Sequence, residues 1–334
     1  MKLGRTVGLS DTGRKRRHNE DTFVLEPPIF AIADGMGGAK AGEVASELAA
    51  NALREWRDGG SGEQAVVSLV QEANRRVYQR ATEDAAASGM GTTMTVALLD
   101  DGHVRIGHVG DSRAYLIRDG ELTQLTDDHS LVGELVRSGK LTPEDAETHP
   151  QRSVITRVLG TDPEVDVDTI TVEARSGDLF LLCSDGLYSM VGNERILELV
   201  ERHRGDLKGV AKALIAAANR GGGDDNITVV AFEIGEREPD ATDGRDSPTA
   251  VLDPADEDTL TEVDRVPAVT TMVVAPEDID RHLRSEQQPV ARSEEAPTEE
   301  QEPEKKRRRF LPLVALLVLA LAAAVVVYVL VHFF

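Results

Sequence analysis

The sequence predicts an α+β fold, a sandwich of antiparallel strands with helices covering the outer faces of the sheets. Three observations carry that expectation. Two hairpin signals join alternating strands: "TMTVALL" and "HVRIGHVG" flank "DDG", and "RAYLIR" and "LTQLT" flank "DGE". Short apolar runs, "IFAIA", "DLFLLCS" and "NITVVAFEI", suit buried strands. Helical patterns come in two separate pairs instead of alternating with strands, which places them on sheet faces.

In chain order, "IFAIA" (29–33) is a buried strand that ends abruptly in Asp34 and a glycine-rich turn. Amphipathic helices follow at Gly42–Trp56 and Gly62–Ala86, with Trp56 on the core side of the first. The two hairpins come next. Asp101-Gly102 and Asp119-Gly120 are ordinary turn dipeptides between paired strands. Residues 130–162 interrupt the strands with short helical pieces and several charges, as a mobile subdomain beside a cleft or an ordinary connection would. The runs "DLFLLCS" and "NITVVAFEI" bracket the second helix pair, Glu194–Arg204 and Asp206–Arg220.

Residues 236–304 lack periodicity, carry scattered prolines and hold 21 acidic against 6 basic residues. They read as an acidic disordered linker. "KKRRR" (305–309) is a basic juxtamembrane run, and Phe310 to Phe334 is apolar over a bilayer's thickness, which takes about 20 helical residues. The expectation is therefore one C-terminal transmembrane helix, with residues 1–235 held at the cytoplasmic face of the cell membrane as a single-pass protein. The formal charge of -22 speaks against nucleic acid as a partner, since phosphates need basic neutralisation. Cys183 is the only cysteine and reads as a small core residue.

Aspartates recur where apolar strands meet small-residue turns: Asp34, Asp111 in "HVGDSR", Asp185 in "LLCSDGL", Asp225 in "GGGDDN" and Asp21 in "RRHNED". Taken singly, each is explained by the taste of aspartate for turns. As a set they call for another reason. Converging carboxylates repel one another, and a hard divalent cation relieves that repulsion. Two such ions about 4 Å apart can share a carboxylate and generate a nucleophile from water for attack on phosphorus. Glycine beside a ligand lets a backbone carbonyl come close. Arg14, Lys15, Arg16 and Arg17 lie just upstream of Asp21, and an arginine can grip two phosphate oxygens at once.

The stretches "RRHNED", "ADGMGGAKAGEVAS", "GMGTT", "HVGDSRAYL", "LTDDHS", "HPQRSVITRVLG", "LLCSDGL" and "GGGDDNITVV" follow one another across residues 1–235. In that order they resemble the metal-dependent protein phosphatases of the PPM (PP2C) class, in their bacterial serine/threonine form. The resemblance implies an αββα sandwich of two antiparallel sheets flanked by helix pairs, with a binuclear Mn²⁺ or Mg²⁺ centre at one end. It implies that Asp34 bridges both ions, that Gly35 offers its carbonyl to one, and that Asp185 and Asp225 bind the other. Asp111, with Asp185, matches a third, weaker ion site. Asp21 would bond a metal-bound water, with Glu20 a further candidate. Arg16 aligns with the phosphate-gripping arginine, and Arg17 is the competing choice. Residues 130–162 would be the flap. Asn226 would orient its loop. His18, His129 and His149 fall in family motifs and take structural or substrate-orienting roles. The implied activity is hydrolysis of phosphoserine and phosphothreonine in proteins, opposing a membrane serine/threonine kinase. Thr249, Thr259, Thr261, Thr270 and Thr271 of the linker would, if phosphorylated, suit phosphothreonine-binding modules.

Overall fold

The structure, a computed structural model, describes residues 2–37, 41–56, 60–142, 145–146, 148–235, 250–251 and 272–273. The expectations for 305–309 and 310–334, and for all but four residues of 236–304, lie outside the described residues. Among the described residues no helix is long and apolar enough to cross a membrane.

Two antiparallel sheets face each other. The first runs β1 (Lys2–Asp11), β12 (Ile227–Gly235), β11 (Leu179–Cys183), β7 (Arg113–Arg118) and β8 (Glu121–Gln124). The second runs β10 (Asp168–Glu173), β6 (His103–Val109), β5 (Met94–Asp100), β3 (Ile29–Met36) and β2 (Asp21–Glu26), with β4 (Gly91–Thr92) added to β3. The two predicted hairpins form as read. Asp101-Gly102 and Asp119-Gly120 take positive φ at both central positions, the conformation a two-residue hairpin turn demands.

The helices are α1 (Ala41–Arg54) and α2 (Glu63–Glu83) on one side, α5 (Asn193–His203) and α6 (Leu207–Gly221) on the other. Between them in sequence lie the short helices α3 (Leu131–Arg137) and α4 (Asp185–Tyr188). Trp56 lies beyond the end of α1, partly buried against the core. Three apolar layers result. Ile29, Ala31 and Ala33 of β3 pack under α1 and α2, while Leu179, Leu181, Cys183, Val229 and Ala231 pack under α5 and α6. The alternate residues Phe30, Ile32, Phe180, Leu182, Val230 and Phe232 meet between the sheets. The Phe30 and Phe232 rings stack there with centroids 4.1 Å apart. Burial on both faces explains why these strands read as continuous apolar runs and not as alternating ones.

Two strands were not among those expected from the sequence. The strand β1, "KLGRTVGLSD", is half exposed and glycine-interrupted, and β10, "DTITVE", is an exposed edge. Both are made strands by pairing, with β12 and β6 respectively. Within the stretch expected to be unstructured, Ala250–Val251 (β13) pairs parallel to β1, and Met272–Val273 (β14) pairs parallel to β9 (Val154–Ile155).

Candidate metal and phosphate site

Parity along the strands decides where the site lies. Phe30 and Ile32 face the opposite sheet, so Asp34, two residues on, continues that inner face at the strand's end. Asp21 stands directly opposite Asp34 in the β2–β3 register. From the other sheet, Thr228 precedes Val230 on the inner face, and Ser184 follows the end of β11. At this end of the sandwich the apolar layer gives way to hydroxyls and carboxylates.

Asp21 is 8% exposed. Its Oδ2 accepts from Thr228 Oγ1 at 2.6 Å and from Ser184 Oγ at 2.8 Å. Its Oδ1 is buried with no hydrogen-bond partner, as is Asp185 Oδ1. Asp34 and Asp185 are half-buried, and both are pushed well above the usual carboxylate range. Burial is the largest cause in each. The charges of Asp21, Asp185, Asp225 and Asp111 add to it at Asp34. Those of Asp225, Asp111 and Asp21 add to it at Asp185. All five predicted aspartates therefore share one electrostatic neighbourhood.

Asp225 closes on a cation from the protein itself. Its Oδ2 takes a hydrogen bond from Arg16 Nη2 at 2.6 Å, and its Oδ1 accepts from the Asn226 amide at 2.8 Å. Arg16 also lies 4.0 Å from Glu20 Oε2, and its Nε is buried without a partner. Arg16 is half-buried, whereas Arg14, Lys15 and Arg17 are exposed, and Lys15 pairs with Asp224. Of the four neighbouring cations, Arg16 is the one placed among the carboxylates. Asn226 ties the loop together as expected, donating to the carbonyls of Thr12 and His18 and accepting from the Glu20 amide.

Gly35 is confined by backbone on two sides. A Cβ there would lie 2.1 Å from the Gly42 carbonyl oxygen and 2.6 Å from that of Glu20. No side chain fits, and the strand end stays open to close approach.

Do these residues fit a divalent cation? Carboxylate oxygens without donors, surrounded by like charges, match a hard, oxygen-seeking ion. One expectation is not met in full. Among the described residues no three carboxylate, imidazole or thiol groups are gathered closely enough to enclose an ion as a set. Asp225, expected beside Asp34 and Asp185, is held by Arg16 instead.

Two of the three motif histidines are engaged by hydrogen bonds within the protein. His129 is buried and bonded through both ring nitrogens, to Gly110 and Asp168, and His149 Nδ1 accepts from the Gln151 amide. Burial pushes the Cys183 thiol up to about 12, so it is no nucleophile. Ser184 and Thr228 escaped the reading of the sequence; the signal available was a hydroxyl on the inner-face parity at the same strand end as an aspartate.

The charge cluster has a measurable consequence. Burial raises Asp21 to about 6 and Asp111 to about 7, from about 3.9 in an unfolded chain. The folded state then keeps protons that the unfolded state releases, so stability is lost as pH rises through that window. Metal-free protein should melt at progressively lower temperature between about pH 4 and pH 7, and added Mn²⁺ should flatten the decline. A metal-free midpoint that climbs with pH across that interval, measured by calorimetry, would contradict the clustering.

The chain matches the family model described as Protein phosphatase 2C over residues 15–217. It is 40% identical over 236 residues to a serine/threonine phosphatase, stp, of Listeria innocua, an alignment covering 67% of this chain and 93% of that protein. It is 43% identical over 233 residues to the serine/threonine protein phosphatase PstP of Mycobacterium tuberculosis, covering 69% of this chain and 45% of that relative. The crystal structure of a Mycobacterium tuberculosis serine/threonine phosphatase, PstP/Ppp, superposes with a TM-score of 0.67 at 42% identity, over 70% of this chain and all of that one. A structure of the PstP catalytic domain in complex with two manganese ions superposes with a TM-score of 0.65 at 40% identity, over 70% of this chain and 99% of that one.

Proposed function

The chain belongs to the protein phosphatase 2C family, and from that premise we propose how its own residues perform the reaction. It is a metal-dependent protein-serine/threonine phosphatase, acting on phosphoserine and phosphothreonine in proteins with Mn²⁺ or Mg²⁺. Two such ions, when bound, would supply Lewis acidity toward the phosphoryl oxygens and lower the pKa of water enough to make it a nucleophile toward phosphorus at neutral pH.

The observation that carries the residue roles is the set of aspartates at one end of the sheets whose charges act together on Asp34 and Asp185, raising both. Asp34 would hold both ions, Gly35 would lend its carbonyl to one, and Asp185 and Asp225 would hold the other. Asp111 would serve a third, weaker ion. Asp21, oriented by Thr228 and Ser184, offers a free oxygen to accept a proton from water in the site. Glu20 Oε2 lies 4.0 Å from Arg16 Nη1 and would act on it as a neighbouring charge. Arg16 would leave Asp225 for the substrate's phosphate, and charge-assisted bonds to phosphate are strong enough to compete.

Beyond residue 235 the proposal rests on sequence alone. The basic run and the apolar segment 310–334 would anchor the catalytic domain at the cytoplasmic face of the membrane. A membrane serine/threonine kinase would then be the natural opponent. Phosphorylated linker threonines would recruit phosphothreonine-binding modules.

The test is phosphate release from a phosphothreonine peptide, with and without added Mn²⁺, on the full chain and on a chain lacking 310–334. Release in both chains, only with metal, and membrane fractionation of the full chain alone is the expected result. Metal-independent release, or loss of activity on the deletion, would overturn the corresponding half of the reading.

A further inference from the structure

We propose that His129 is a positioning residue for the Asp111 carboxylate and hence for the weaker cation site given to Asp111 above; the inference rests on that assignment. His129 is 2% exposed. It grips the residue before Asp111 twice. Its ring Nδ1 accepts from the Gly110 amide at 3.0 Å, and its own amide donates to the Gly110 carbonyl at 2.8 Å. Both backbone polar groups of Gly110, one on each of its flanking peptides, are thus committed to one residue.

The ring's tautomer is set from its other side. Nε2 lies 3.1 Å from Asp168 Oδ2, and Asp168 Oδ1 accepts from Arg157 Nη1 at 2.6 Å. An ionised carboxylate can only accept, so the proton is on Nε2 and Nδ1 keeps the lone pair that Gly110 needs. The link continues into the flap: the His129 carbonyl accepts from the Thr156 amide at 2.8 Å.

Gly110 cannot give way in the other direction. Its φ is +112°, and a Cβ there would lie 2.5 Å from Thr93 Cβ. Thr93 in turn donates its amide to the Asp34 carbonyl at 2.9 Å and shares a 2.8 Å hydroxyl bond with Ser112. The turn that aims Asp111 is therefore wedged between the Asp34 strand and His129. Partners of this kind typically set metal affinity by 10–100-fold.

The test is Mn²⁺ titration calorimetry on the full chain, with amide exchange at Gly110 in the metal-free protein. Asp111→Asn should lose the weak ion. His129→Ala and His129→Gln should weaken it about 10–100-fold, leave the tight pair in place, and speed exchange at Gly110. His129→Asn carries an acceptor oxygen where Nδ1 stood; it should recover most of the affinity and the slow exchange. Weak-ion binding and Gly110 exchange in the Ala and Gln variants that match the unsubstituted chain would overturn the proposal. So would equal losses in Ala, Gln and Asn, which mark general loosening. An Asp111→Asn variant that keeps the weak ion, or a native chain that binds none, sinks the third-site assignment instead. The Gly110 exchange would still report on the clamp.

Discussion

Replacing Asp34 by Asn is expected to cut phosphate release by about 10³-fold or more, because a bound metal supplies several kcal/mol of transition-state stabilisation and each 1.36 kcal/mol is tenfold in rate. The same substitution should have the opposite sign on the metal-free fold. Asp34 is raised well above the usual carboxylate range by burial and by four neighbouring aspartates. Its charge therefore opposes folding at neutral pH, and the neutral amide removes that cost. Asp34→Asn should melt higher than the unsubstituted protein without metal and gain less from Mn²⁺. Turnover within about tenfold of the original at saturating Mn²⁺ would show that the ions do not depend on this carboxylate.

Arg16→Ala should lower kcat/KM by about 10²-fold, on the basis that a hydrogen bond to a charged group contributes about 1.5–3 kcal/mol. The loss should fall mainly on KM and on inhibition by inorganic phosphate. Arg17→Ala should change either constant by less than about threefold, as exposed side chains away from a site usually do. The structural ground is the placement of Arg16 Nη2 on Asp225 while Arg17 is exposed. Arg16→Lys should not restore activity, since an ammonium cannot present the paired donors of a guanidinium. If Arg17→Ala gives the larger effect, the helper of phosphate binding is one residue further along. Asp225 would then keep Arg16 as a permanent partner.

Much of the fold was legible because its signals are local. The Asp-Gly turns, the doubly buried strands and the two helix pairs rest on turn chemistry and on periodicities that span a few residues. The strand β1 was not legible, because "KLGRTVGLSD" is polar and glycine-interrupted over its first half; β10, "DTITVE", alternates Ile170 and Val172 with polar neighbours but over only six residues at a sheet edge, and pairing with β12 and β6 sets the two strands in place. At the site, each aspartate was identified by its place at a strand end. The hydroxyls of Ser184 and Thr228 went unseen, since their partner, Asp21, is 163 and 207 residues away in the chain. The tight three-carboxylate grouping was expected and is not found among the described residues, where Asp225 is paired with Arg16.

The amino-acid order alone determined which residues are candidates for the chemistry: acidic side chains at the ends of apolar runs, a glycine beside one, and an arginine cluster upstream. Short-range sterics and period are enough for that. Only the tertiary structure decided which arginine turns inward, which oxygen of Asp21 stays free, and that His129 holds the turn before Asp111. Those outcomes depend on register and on packing between two sheets, where contacts join residues as much as 209 positions apart and no local pattern records them.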